Sequence, residues 1–255
     1  MGLSDPVAGR WTTAKMAMDT IKLIKRVGWS GARQDKCKIH IVGLSMGGMI
    51  SQEICRLAER HDVHVCSLIL VSTIAGGTFS LYYFVLSIPT GLQLTARTFL
   101  TRDANTQLKN GLALLYPTKF LEANGVHPET GETMQNFKLF RRALIKRGLQ
   151  DKQNGNQGHS IVSVIKQGLA VFGHSVSGAE FKYISTKVQT NVLVITGDED
   201  ILVHPANSSR LHEELRGSQL VEIKGAGHGA NEQDPQTVNL AIERLVRQTW
   251  TQAKL

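Results

Sequence analysis

The feature that most limits what this chain can fold into is the stretch Ile-Val-Gly-Leu-Ser-Met-Gly-Gly at residues 41–48. An apolar run typical of a buried strand leads into it, and apolar residues at helical spacing follow it. Gly-x-Ser-x-Gly at a strand-to-helix junction forms a sharp, strained turn that lifts the serine above a sheet. We expect Ser45 to be an exposed nucleophile there, and Gly43 and Gly47 to let neighbouring backbones approach without a Cβ clash.

A glycine-rich turn at such a junction can also bind nucleotide phosphates. The Gly-x-Gly-x-x-Gly and Gly-Lys-Ser/Thr patterns of those sites do not occur at this junction, which makes that interpretation weak. The helix that follows Ser45 begins with free N–H groups and the positive end of its dipole, and both favour a developing oxyanion. We therefore expect the N–H of Met46 to be one oxyanion donor.

Strand-like and helix-like segments alternate in the first and last thirds of the chain. Strands are predicted at 37–42, 65–71, 191–196 and 219–223, and helices at 16–27, 47–60, 205–216 and 235–250. The helix at 16–27 has Thr12 or Thr13 as its candidate cap and Gly28 at its end. This alternation predicts an α/β fold with a mostly parallel sheet and helices on both faces.

The rhythm of strands and helices is interrupted between residues 76 and 183, where the pattern is mostly helical with loops around 117, 125–131 and 154–158. We predict a core made of residues 1–75 and 184–255 and a helical cap made of residues 76–183. Ligands of open α/β sheets bind at the carboxyl ends of the strands, so the cap is expected to cover that edge.

Composition excludes some functions and leaves others open. The net charge is +8, but the basic residues are scattered without interleaved aromatics, so we expect solvated helix faces and no nucleic-acid partner.

No charged residue occurs at 65–96, yet Gly76, Gly77 and Pro89 favour a buried strand and an apolar cap segment over a membrane span. Membrane contact is possible but not expected. Three cysteines without Cys-x-x-Cys spacing indicate a reducing, cytoplasmic location.

A serine hydroxyl needs a base to take its proton, and in this fold the order along the chain is serine, acid, histidine. Three acids, Asp198, Glu199 and Asp200, follow the strand at 191–196. His228 lies in Gly-Ala-Gly-His-Gly after the strand at 219–223 and is our candidate base.

His174 could also face substrate, as could His159. No histidine pair has metal-ligand spacing, so neither a metal nor another cofactor is predicted.

These three motifs together resemble the α/β-hydrolase superfamily. Gly-Leu-Ser-Met-Gly-Gly-Met-Ile is similar to the serine turn of 3-oxoadipate enol-lactonase-like hydrolases, esterases and lipases. The resemblance implies Asp200 as the orienting acid, because Gly-x-x-Asp after the strand is the family pattern, with Asp198 as the alternative. It further implies hydrolysis of a carboxylic ester, lactone or acylglycerol through an acyl-enzyme at Ser45. The apolar residues 81–100 suggest a pocket for a small apolar ester or lipid-like substrate, or ordinary core packing.

The N-terminus departs from the family pattern. Gly2-Leu3-Ser4-Asp5-Pro6 resembles a family element that follows further strands, so the resemblance implies that the chain is N-terminally truncated. Four strands would remain, with the serine strand at the sheet edge, and a loop that usually donates the second oxyanion N–H would be missing. The alternative is therefore a catalytically impaired family member that binds a ligand or partner. The sequence does not predict an oligomeric state.

Overall fold

The computed structural model describes residues 9–29, 38–77, 103–154, 161–188 and 191–252, together with residues 94, 97, 98 and 101. The strands over these residues are β1 (Lys38–Leu44), β2 (His64–Val71), β3 (Asn124–Val126), β4 (Thr133–Gln135), β5 (Val192–Gly197) and β6 (Gln219–Ile223). The α-helices are α1 (Thr13–Arg26), α2 (Met46–Leu57), α3 (Ala104–Leu115), α4 (Thr118–Glu122), α5 (Asn136–Gln153), α6 (Ile161–Phe172), α7 (Gly178–Val188), α8 (Ala206–Glu214), α9 (Ala230–Gln233) and α10 (Pro235–Gln252). A short 3₁₀ helix, Ala58–His61, continues α2.

Four strands form one parallel sheet in the order β1–β2–β5–β6. The prediction of an α/β fold with a parallel sheet is confirmed. Within the described residues β1 lies at the outer edge of the sheet, and two of its apolar side chains, Val42 and Leu44, are 54% and 42% exposed. The strand that leads to Ser45 is therefore supported by a neighbouring strand on one side.

Alternating side chains of the central strands point to opposite faces of the sheet, and helices cover both faces. Leu68 and Leu70 of β2 pack in one apolar cluster with residues of α1, α2, α7 and α8. Ile69 and Val71 pack in a second cluster with residues of β6, α9 and α10. All four side chains are buried, and burying each contributes roughly 1.5–3 kcal/mol relative to an exposed side chain. The central strands thus fix the position of the sheet edge where the predicted site residues lie.

The local sequence of α1 explains where this helix begins and where it ends. The Thr12 hydroxyl accepts a hydrogen bond from the Lys15 N–H at 3.1 Å, which satisfies one of the free N–H groups at the helix start. The helix ends before Gly28, which has a φ of +77°. It begins three residues earlier than predicted and buries Ala17 and Ile21 against the sheet.

The chain between β2 and β5 leaves and rejoins the sheet at one point. Gly76 and Ser175 form an antiparallel bridge, the Val176 N–H donates to Ala75 O at 3.1 Å, and the Gly77 N–H donates to His174 O at 3.2 Å. We call residues 76–183 the β2–β5 segment. Its described part contains α3 to α6 and most of α7.

The β2–β5 segment also contains an antiparallel hairpin of β3 and β4. The sequence predicted a loop around 125–131, and the two short strands that border this turn were missed. Each strand has three residues, which is too few for an apolar alternation to stand out in the sequence.

Several predictions concern residues outside the described part of the chain. They include the family-like element at residues 2–6, His159, and most of the apolar stretch 81–100 with Tyr82, Tyr83 and Phe84. Within the ranges given above, no helix is both long enough and apolar enough to cross a membrane.

Candidate active site

Ser45 lies on a strained turn between the end of β1 and the start of α2. Its φ of +53° and ψ of −120° are unusual for a residue with a side chain, and such backbone strain costs roughly 1–3 kcal/mol. Two hydrogen bonds hold the turn: the Ser45 N–H donates to Val71 O at 2.9 Å, and the Thr73 hydroxyl donates to Ser45 O at 2.6 Å. Both partners belong to β2 or the residues after it, so the sheet stabilises the strained conformation.

The glycines around Ser45 have different roles. A Cβ on Gly43 would lie 2.5 Å from Gly47 O, so close approach of the backbone requires glycine there, as predicted. Among the residues that the structure describes, a Cβ on Gly47 would meet nothing within 4 Å, so the same expectation was wrong for Gly47. Gly48 is the second restricted position, because its Cβ would lie 2.6 Å from Thr73 Cγ2.

The first turn of α2 presents backbone donors beside Ser45. The N–H groups of Gly48 and Met49 donate to Ser45 O. Within the described residues the N–H groups of Met46 and Gly47 have no such acceptor. Helix N-termini favour negative charge, so this turn can stabilise an oxyanion that forms next to Ser45.

Asp200 and His228 follow β5 and β6, and the fold brings them together. Asp200 Oδ2 is 2.9 Å from His228 Nδ1. Asp200 Oδ1 accepts hydrogen bonds from the N–H groups of Leu202 at 2.9 Å and Val203 at 2.8 Å. Both side chains are buried, at 3% and 5% exposure for the two residues. The carboxylate is therefore fixed on one oxygen by backbone donors and orients the imidazole with the other.

Asp198, the alternative acid, has different partners. Its Oδ1 accepts from the Gly225 N–H at 2.6 Å, and its Oδ2 lies 3.5 Å from Lys224 Nζ. These contacts tie the loop after β5 to the loop after β6. Asp198 thus supports the loop that carries His228, whereas Asp200 contacts the imidazole itself.

Ser45, Asp200 and His228 all follow the carboxyl ends of parallel strands, at the same edge of the sheet. Within the described residues, Ser45 Oγ makes no hydrogen bond with His228. Such bonds are often long in an enzyme without substrate and tighten when substrate binds. The structure therefore joins the acid to the histidine and leaves the serine on the same edge without a direct bond.

His174, which could have faced substrate, lies elsewhere. Its Nδ1 is 3.0 Å from the Thr13 hydroxyl on α1 and 3.8 Å from Glu53 on α2. Burial, reinforced by the Arg56 guanidinium, lowers the pKa of His174 to about 4, although Glu180 acts in the opposite direction. This histidine is a neutral side chain that joins the end of the β2–β5 segment to α1.

Sequence reasoning missed the contact between the β2–β5 segment and the His228 loop. A cavity of about 770 Å³ has walls formed by the turn between α3 and α4, the loop after β5, and Gly227. Tyr116 and Pro117 line it on one side, and Asp200 and His204 on the other. More than 80 residues separate these walls along the chain, so no local pattern could have indicated the contact.

Comparison with known proteins shows to which protein family the chain belongs. A family model described as "alpha/beta hydrolase fold" matches residues 14–235. The chain belongs to the α/β-hydrolase family. The resemblance inferred from the three motifs is thereby confirmed.

A curated relative shows how far the likeness extends along the sequence. "Putative carbamate hydrolase RutD" of Escherichia coli O1:K1 / APEC is 33% identical over 69 residues, which are 27% of this chain and 26% of that protein. The chain thus matches about a quarter of the length of this curated relative.

Solved structures of α/β hydrolases match over more of the chain. MGS-M2, an α/β-hydrolase enzyme from a Medee basin deep-sea metagenome library, has a TM-score of 0.64 and 17% identity, covering 96% of this chain and 75% of that one. A thermophilic esterase from Thermogutta terrifontis has a TM-score of 0.61 and 21% identity, covering 97% and 76%. At these identities the likeness shows a shared fold.

Proposed function

We propose that this α/β hydrolase cleaves a carboxylic ester, lactone or acylglycerol through an acyl-enzyme at Ser45. His228 acts as the general base, Asp200 orients it, and the Met46 N–H donates to the oxyanion. The observation that carries the proposal is the buried hydrogen bond between Asp200 Oδ2 and His228 Nδ1 at the sheet edge that also holds the strained Ser45.

The proposed chemistry follows from the direction of that hydrogen bond. When Nδ1–H donates to Asp200, the neutral imidazole has its free lone pair on Nε2. Nε2 takes the proton of Ser45 Oγ as Oγ bonds to the carbonyl carbon of the substrate. The imidazolium then gives this proton to the leaving oxygen as the carbon–oxygen bond breaks, and water releases the acyl group by the same steps.

The substrate class rests on coarser support. One structural neighbour is an esterase, and the apolar residues 81–100 suggest either an acyl pocket or ordinary core packing. We propose that residues 76–183 form a cap over the site in the core of residues 1–75 and 184–255. The contact between the turn after α3 and the Gly227–Gly229 backbone supports this arrangement. A small apolar ester or lipid-like molecule is the expected substrate.

An active-site fluorophosphonate probe tests the proposal, because it reacts with an activated serine and not with an ordinary hydroxyl. We expect the wild-type chain to be labelled and Ser45→Ala to be unlabelled. Ser209→Ala, which changes an exposed serine of α8, is the matched control and should be labelled like the wild type. Hydrolysis of p-nitrophenyl butyrate should follow the same pattern.

A second candidate function is a ligand- or partner-binding protein with an impaired site. The observation that favours it is the lack of a hydrogen bond between Ser45 Oγ and His228 in the described residues. Under this alternative the folded wild type resists the probe as Ser45→Ala does, while circular dichroism shows native structure. That result would refute the proposed hydrolase activity.

A further inference from the structure

The turn between α3 and α4 contacts the loop of His228 through backbone atoms. Leu115 O accepts a hydrogen bond from the Gly229 N–H at 2.9 Å. A Cβ on Gly227 would lie 2.6 Å from Leu115 O and 2.9 Å from Pro117 Cδ, and a Cβ on Gly229 would lie 3.0 Å from Tyr116 Cζ. Both glycines that flank His228 are therefore pressed against residues 115–117, and larger residues would separate the two segments.

Tyr116 adds a directional contact to this interface. Its hydroxyl donates to Glu232 Oε2 on α9, the short helix that begins two residues after His228. Burial, together with Glu232, raises the pKa of Tyr116, so the hydroxyl remains protonated and acts as a donor at neutral pH. The residue is 3% exposed, so solvent competes little for this bond.

The ring of Tyr116 is held from the other side by the β2–β5 segment. Its centroid lies 4.6 Å from that of Phe140 on α5 and 5.6 Å from that of Phe120 on α4. The rings are tilted against each other, at 46° and 35°, and aromatic pairs at these distances contribute roughly 0.5–1.5 kcal/mol beyond area burial. A movement of α3 to α5 would therefore carry the tyrosine hydroxyl and the Leu115 carbonyl with it.

The side chain of Gln233 also supports the His228 loop, in addition to Asp198. Gln233 Oε1 accepts from the Gly227 N–H at 2.7 Å, and its Nε2 donates to Gly225 O at 3.2 Å. Gln233 fixes the first half of the loop, before His228. Leu115 and Tyr116 fix the second half, after it, so the imidazole lies between the two supports.

We propose that Tyr116 is a positioning residue for His228, through which the β2–β5 segment controls where the imidazole lies. The proposal rests on the proposed function of His228 as the base. Displacement of the turn after α3 breaks the bonds to Gly229 and Glu232 together, and the base loses its place relative to Ser45. The cap and the catalytic base are thus mechanically coupled.

Tyr116→Phe tests this coupling, because it removes the hydroxyl and keeps the ring between the two phenylalanines. Loss of one hydrogen bond to a carboxylate should lower kcat about tenfold and leave KM unchanged. Amide exchange of residues 225–233 should become about tenfold faster. Tyr183→Phe is the matched control, since Tyr183 also donates to a carboxylate, Glu59 Oε2 at 2.6 Å, away from this loop. It should change neither quantity.

Two variants of the acceptor complete the experiment. Glu232→Gln keeps an oxygen acceptor but loses the charge, so its effect should be smaller than that of Tyr116→Phe, whereas Glu232→Ala should reproduce Tyr116→Phe in full. The proposal is overturned if exchange of residues 225–233 is the same in Tyr116→Phe as in Tyr183→Phe. A rise in KM at constant kcat would overturn it as well, because Tyr116 would then bind substrate. A wild type that resists the fluorophosphonate probe refutes the proposed function, while the exchange data still decide whether Tyr116 positions His228.

Discussion

The turn that carries Ser45 and the loops that carry Asp200 and His228 lie at one edge of one sheet, but their surroundings differ. Ser45 follows β1, which among the described strands has a neighbour on one side and exposes the apolar side chains of Val42 and Leu44. Asp200 follows β5, all of whose six residues are buried between β2 and β6. We call residues 38–57 the serine side and residues 192–233 the acid–base side.

The two sides achieve their geometry in different ways. On the acid–base side, buried hydrogen bonds hold the carboxylate and the imidazole. On the serine side, backbone strain at Ser45 is balanced by hydrogen bonds from and to residues 71–73. Polar groups fixed in advance around a developing charge contribute strongly to catalysis. Under the proposed function both sides supply such groups: Asp200 beside the imidazole, and the Met46 N–H beside Ser45.

The largest effect should come from the acid–base side. Asp200→Asn leaves the shape of the site intact but favours the wrong imidazole tautomer, and such a change lowered kcat about 10⁴-fold in a serine protease. We expect a loss of similar size in ester hydrolysis, measured as kcat at saturating substrate. Asp198→Asn is the control and should keep kcat within a few-fold of the wild type. If Asp198→Asn were the more damaging change, our choice of the acid would be wrong.

A smaller effect should appear in stability at acid pH, on the side where α1 and α2 cover β1. The pKa of His174 is about 4 in the folded chain against 6.5 for a free histidine. The unfolded chain therefore binds this proton first, so the stability is complete above pH 6.5 and is lost as the pH falls towards 4. Thr13, Glu53, Arg56 and Glu180 are the groups that surround or influence the ring.

Protonation of His174 at low pH should lower the free energy of unfolding by up to about 3 kcal/mol. Urea titrations of the wild type and of His174→Gln at several pH values measure it, since the glutamine cannot titrate. The difference between the two curves should shrink as the pH falls. If the stabilities of the wild type and of His174→Gln change in parallel between pH 6.5 and 4, His174 does not have the lowered pKa.

The smallest effect concerns the glycines of the serine side. Gly43→Ala should lower the free energy of unfolding by about 1–3 kcal/mol, because its Cβ overlaps Gly47 O. Gly47→Ala should instead raise it by about 0.5–1 kcal/mol, because alanine favours the first turn of α2 and its Cβ would clash with none of the described residues. Thermal unfolding of the two variants checks the opposite signs. A loss of stability in both would show that the turn tolerates no added side chain.

The sequence predicted what is local and periodic. The four strands, the helices that follow them and the Ser45 turn were all found near their expected positions, because each has a pattern within about ten residues. The family pattern then selected Asp200, and its bond to His228 agrees with that choice. The roles of Ser45 as nucleophile, Asp200 as orienting acid and His228 as base stay predictions until the variants are measured.

Contacts that depend on packing could not be predicted in this way. Gly43 and Gly47 are equivalent in the motif, and the path of α2 decides that one is crowded and the other open. Tyr116 and Glu232 are separated by 115 intervening residues, and neither lies in a recognisable motif. His174 was one of nine histidines, and its position against Thr13 follows from the way the β2–β5 segment returns to the sheet.

That return has a consequence for how such a protein can be altered. Because Gly76 and Ser175 are paired, the excursion from residue 77 to residue 174 starts and finishes at one place. A connection of this kind can be shortened, extended or exchanged for another without changing the register of β2 and β5, since inserted domains are tolerated where chain ends lie close together. If the excursion acts as the proposed cap, transplanting it between related chains should exchange substrate preference, while the strands beneath it keep their pairing.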